Sequence, residues 1–114
     1  MAQGGDAAAF LAVDPGTEHE VLVPIDERIV VGRECAGVDE RHRFLVRDES
    51  VSRNHLEIRV DVAANRAWAV DISSNGTLLN GLAMERSMPV PLRSGDQLTV
   101  GSVRLQFRAA GIAP

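Results

Sequence analysis

Apolar and polar residues alternate in steps of two along much of this chain. From Leu56 the apolar positions Leu56, Ile58 and Val60 interleave with Glu57, Arg59 and Asp61. Near the other end Val103, Leu105 and Phe107 interleave with Arg104, Gln106 and Arg108. Successive side chains on a strand point to opposite faces, so this period marks half-buried strands. The stretch 66–72 repeats the rule, with Trp68, Val70 and Ile72 as its apolar side. Shorter β-rich runs lie at 8–13, 20–23, 28–31, 44–46 and 97–100. Turn signals separate them: Asp14-Pro15-Gly16, Ala64-Asn65, Ser74-Asn75-Gly76, Asn80-Gly81 and Ser94-Gly95-Asp96. Many short strands at close spacing, with no helical period, predict an antiparallel sandwich or barrel.

The 114 residues suit one domain, placed at 7–108, with flexible ends at 1–6 and 109–114. One long stretch without pattern, Glu34–Arg43, is expected to loop out. Apolar residues at 45% and charged residues at 25% are ordinary for a globular protein. The lone Cys35 has no partner for a bridge or a CxxC metal site and reads as a bystander thiol in a reducing compartment. No run approaches the ~18 apolar residues of a membrane helix, and the N-terminus lacks the basic start of a signal peptide. A cytoplasmic protein with no membrane partner is expected.

Charge narrows the function further. A net charge of −4 disfavours nucleic acid as a partner, since that affinity rests on neutralising many phosphates. All twelve basic residues are Arg. Guanidinium suits bidentate phosphate recognition, but the same count fits compositional bias, so position must decide. Arg41, His42, Arg43 and Arg47 cluster, yet Asp39, Glu40, Asp48 and Glu49 offset them, and His19 and His42 are expected to face solvent.

Three segments carry candidate chemistry, each where a strand gives way to a loop. They are Gly32-Arg33, Ser52-Arg53-Asn54-His55, and Ser73-Ser74-Asn75-Gly76-Thr77 followed by Asn80-Gly81. Arginine presents a planar donor fork that fits two phosphate oxygens, and a serine hydroxyl adds a neutral donor. Asparagine can both donate to and accept from a peptide backbone. Glycine after asparagine permits the tight turns that bring amides to the surface. Such a set suits a dianion held by loops, and it holds neither an activated nucleophile nor a metal cage. Arg33 also has a plainer reading, as a surface partner of Glu34 or Asp48. Ser52, His55 and Asp71 could be drawn as a triad. No strained elbow presents the serine, however, so His55 is expected to be partly buried and bonded to backbone.

The ordered stretches GR (32–33), SRNH (52–55), SSNGTLLNG (73–81) and SGDQLTVG (94–101) resemble the forkhead-associated (FHA) domain signature over roughly residues 29–107. The resemblance implies an all-β, eleven-stranded antiparallel sandwich with no substantial helix. It implies phosphothreonine binding through loops at one end, without catalysis, cofactor or metal. Arg33, Ser52, Arg53, Ser74 and Asn75 would be the phosphothreonine-binding residues. Gly32, His55, Gly76, Asn80 and Gly81 would brace the loops. The implied partner is a phosphothreonine-containing protein of a Ser/Thr kinase pathway, and the module could belong to a larger multidomain chain. A phosphate-independent docking role is the main alternative. The stretch between Arg33 and Ser52 is longer than the family pattern, which puts flanking selectivity in doubt rather than phosphate binding.

Overall fold

The computed structural model describes residues 7–110; the expectations for 1–6 and 111–114 lie outside the described residues. Eleven strands form two sheets. In chain order they are β1 (Ala9–Val13), β2 (Val21–Ile25), β3 (Arg28–Gly32), β4 (Arg43–Leu45), β5 (Leu56–Asp61) and β6 (Arg66–Asp71). Then come β7 (Thr77–Leu79), β8 (Leu82–Ala83), β9 (Val90–Pro91), β10 (Gln97–Val100) and β11 (Val103–Ala109). One sheet runs β2-β1-β11-β10-β7-β8, and the other runs β4-β3-β5-β6-β9. β11 continues through Ala109, which pairs with Ala9, so the ordered domain passes the expected boundary at 108.

The inner faces follow the alternation. Leu56 and Ile58 of β5 are buried, as are Leu105 and Phe107 of β11, and they meet Leu11, Ile25, Ile29, Val31 and Leu98 in one core. β6 corrects the reading of its apolar side. Ala67, Ala69 and Asp71 point inward, while Trp68, Val70 and Ile72 are only half-buried. Both faces of this strand carry apolar residues, so its own pattern is ambiguous in phase. Register decides it: Leu56 pairs with Asp71 and Ile58 with Ala69, and directly opposed residues share a face.

Two further corrections concern β4 and the segment before it. β4 pairs with β3 in parallel, unlike every other strand pair in the two sheets. A parallel partner must restart at the same end of the sheet, which requires a crossover. Residues 33–42 supply it, returning from the end of β3 to its beginning. They do not simply loop out. Asp39 caps a short 3-10 turn at Glu40–His42, and His42 is buried rather than solvent-facing. Its Nε2 faces Asp26 Oδ1 at 3.3 Å, in the β2–β3 turn. Cys35 is buried too, its thiol donating to the Val30 carbonyl at 3.3 Å. Burial pushes that thiol up from its ordinary pKa.

Candidate functional site

β3 delivers Gly32 and Arg33 to one end of the molecule, and β5 begins there at Leu56. The two approaching segments are joined backbone to backbone. Arg33 N–H donates to the Ser52 carbonyl at 2.9 Å, and the Glu34 and Cys35 N–H groups both donate to the Arg53 carbonyl, at 3.1 and 2.8 Å. His55 N–H donates to the Val31 carbonyl at 2.8 Å. Contact this close explains Gly32. A Cβ built there would sit 2.1 Å from the Arg53 carbonyl oxygen, closer than any side chain tolerates. Arg33 projects outward from this seam. Its Nε donates to the Val51 carbonyl at 3.1 Å, which orients the guanidinium and leaves its terminal amines exposed.

The loop between β6 and β7 closes the site from the other side. Ser52 Oγ accepts from Ser74 N–H at 3.0 Å and lies 3.1 Å from Ser74 Oγ. Asn75 Nδ2 donates to the Ser50 carbonyl at 3.1 Å. Arg33, Ser52, Ser74 and Asn75 therefore all meet on the segment 50–53 at one end of the sandwich. Arg53 stands beside them, exposed, with its Nε 3.6 Å from Glu34 Oε2. The plain reading of an ion pair with Glu34 thus applies to Arg53 and not to Arg33.

His55 is fully buried beneath these loops and ties them together. Its Nδ1 accepts from Ser52 N–H at 3.0 Å, so Nε2 carries the proton and donates to the Gly76 carbonyl at 2.9 Å. Gly76, with φ of 95°, turns that carbonyl inward and donates its own N–H to Ser73 Oγ. Both ring nitrogens are therefore committed to backbone. The Ser52–His55–Asp71 triad is not assembled, because the Asp71 carboxylate is bonded instead to Ser73 N–H, Ser73 Oγ and Thr77 Oγ1. Among the described residues no cluster of His, Cys, Asp or Glu is placed to hold a metal ion.

Asn80 and Gly81 need correction as braces of these loops. They lie at the far end of β7, where Asn80 Nδ2 donates to Asp96 Oδ1 and Asn80 Oδ1 accepts from Gln97 N–H. Asn80 fastens the β7–β8 turn to the turn before β10, one strand length from Asn75. The 33–42 crossover likewise leaves the site after Ala36, whose carbonyl accepts from Asn54 Nδ2. Further along it, His42 reaches the β2–β3 turn at the other end of β3, with Nε2 3.3 Å from Asp26 Oδ1.

Two groups escaped sequence reasoning. Asp48 Oδ1 accepts from Ser50 N–H and Ser50 Oγ, while Oδ2 accepts from Ser102 N–H and Ser102 Oγ. It thereby ties the loop bearing Ser52 to the β10–β11 turn, and these hydrogen bonds hold its carboxyl far below the ordinary range. The Asp-Glu-Ser triplet at 48–50 signals the local half of this arrangement, but nothing local announces Ser102. The buried Asp71–Ser73–Thr77 cluster is the second group. Its signal is the spacing of short polar residues around Asn75-Gly76.

Comparison with known proteins agrees with this architecture. The FHA domain model matches residues 29–101. Mouse nibrin is 28% identical over 103 residues, covering 82% of this chain and 13% of nibrin, so the chain spans a small part of that relative's length. The MEK1 FHA domain in complex with a HOP1 phosphothreonine peptide superposes with a TM-score of 0.72 at 24% identity, covering 92% of this chain and 99% of that one. A further FHA structure, from an analysis of phosphothreonine-dependent FHA interactions, gives 0.67 at 27% identity, covering 93% and 97%.

Proposed function

The chain belongs to the FHA domain family, and from that premise we propose that it binds a phosphothreonine-containing segment of another protein through the loops around Ser52. One observation carries the reading: an oriented guanidinium, a half-buried hydroxyl and an asparagine side chain, from three separate loops, meet on one short segment. Arg33 and Ser52 take the phosphate, with Arg53 as a second cation and Ser74 alongside, and Asn75 bonds the peptide backbone. Gly32, His55 and Gly76 hold the loops in place.

Each charge-assisted hydrogen bond is worth roughly 1.5–3 kcal/mol net. Three or four of them, less an association cost of several kcal/mol, give affinity in the micromolar region, about −7 to −9 kcal/mol. Reversible signalling needs that range. The module is read as a binding unit rather than a catalyst: both ring nitrogens of His55, the histidine drawn with Ser52 in a triad, are bonded to backbone groups. We place it in the cytoplasm, within a Ser/Thr kinase pathway, as part of a larger signalling system.

The test is titration calorimetry with a degenerate phosphothreonine peptide library and its unphosphorylated twin. Wild type should bind only the phosphorylated library, and Arg33→Ala should weaken binding at least tenfold while the fold is retained. Equal binding of both libraries would replace this reading with phosphate-independent docking.

A further inference from the structure

The two arginines flanking Ser52 are not equivalent. Among the described residues no carboxylate pairs with Arg33, whereas Arg53 faces Glu34 at 3.6 Å. Glu34 is not a chance neighbour. Its N–H is bonded to the Arg53 carbonyl, so the backbone seam fixes the two residues across from one another. Both side chains are open to solvent, Arg53 at 72% and Glu34 at 50% exposed, so the pair can exchange partners. The resting site therefore offers one guanidinium with no carboxylate beside it among the described residues, and one with Glu34 alongside.

Building on the phosphothreonine reading, we propose that Glu34 tunes the affinity of this site, as a resident carboxylate that a ligand must displace from Arg53. A phosphate dianion carries more charge and more acceptor oxygens than a carboxylate and wins the exchange. An acidic side chain offers only what Glu34 already provides and gains nothing at Arg53. Glu34 thus lowers affinity for any ligand that uses Arg53, and lowers it most for phosphothreonine, which draws most from that guanidinium. It acts through Arg53 and is a positioning residue rather than a phosphate contact.

A double-mutant cycle tests this, with Kd measured by fluorescence polarisation on three labelled degenerate libraries that carry phosphothreonine, aspartate or unmodified threonine at the fixed position. Glu34→Gln should tighten the phosphothreonine library about threefold, the scale of an exposed ion pair. It should tighten the aspartate library by no more than that factor, because aspartate draws less from Arg53. Arg53→Ala should weaken phosphothreonine binding, and the gain from Glu34→Gln should vanish in the Arg53→Ala background. Matched thermal melts confirm that both variants are folded. An unchanged Kd in Glu34→Gln, or a gain that persists without Arg53, overturns the proposal. If Arg33→Ala still abolishes binding in that case, phosphothreonine recognition stands and only the role of Glu34 falls. Equal binding of the unmodified library overturns both.

Discussion

Replacing Gly32 by alanine adds one methyl group to the tightest approach in the site. The new Cβ would lie 2.1 Å from the Arg53 carbonyl oxygen, 2.9 Å from its carbon and 3.0 Å from the Asn54 Cα. All three are backbone atoms, so no side chain can swing away. A Cβ keeps at least 3.0 Å from such neighbours, so the seam must open by about 0.9 Å. That movement strains the bonds from Arg33, Glu34 and Cys35 to Ser52 and Arg53. Overpacking costs about 1–3 kcal/mol, and weakening two or three hydrogen bonds worth about 1 kcal/mol each adds a similar amount. The expected loss is about 2–5 kcal/mol, or a Tm drop of roughly 10–30 °C for a domain of this size. Urea unfolding followed by the fluorescence of Trp68 measures it directly. Below the new Tm, phosphopeptide affinity should also fall at least tenfold, because Arg33 and Ser52 lose their shared framework. Stability within about 1 kcal/mol of wild type would refute the close-contact argument.

Two further perturbations probe the groups beneath and beside the seam. His55→Ala strands the Ser52 N–H and the Gly76 carbonyl at about 1–3 kcal/mol each; urea titration should show a loss of at least 2 kcal/mol, and less than 1 would mean the ring is no brace. Asp48 has a folded-state pKa below its unfolded one, so its contribution is present above the ordinary aspartate range near ~4 and is lost as pH falls through and below it. Asp48→Asn should therefore be less stable than wild type at pH 7, with the two melting curves converging toward about pH 2; a gap that stays constant with pH would rule out the carboxylate as the cause.

Much of this molecule could be read from its residues, and the failures share a cause. Strands with one clearly apolar face, such as β5 and β11, were legible because burial and alternation agree. β6 was not, because Ala67 and Ala69 look no more interior than Trp68 and Val70 until β5 fixes the register. The candidate residues stand in ordered loop motifs, and the loops bring Arg33, Ser52, Ser74 and Asn75 together. Asn80 and Gly81 misled because nearness in sequence to Asn75 says nothing about direction along β7. His42 misled because a histidine in a charged loop looks solvated. Only the parallel return of β4 carries it to Asp26. Asp48 reaches Ser102 across fifty-four positions, a separation no local pattern encodes.

The mesh of main-chain bonds around Ser52 also limits how such a domain can change its partners. Amides and carbonyls at 31–35, 50–55 and 73–76 are largely spoken for by one another, so altering the path of any one loop disturbs the others. New preferences must therefore arise from outward side chains on an unchanged frame, at positions such as Glu34, Arg47, Glu49 and Arg86. Divergence of ligand choice without divergence of backbone is what that rigidity permits.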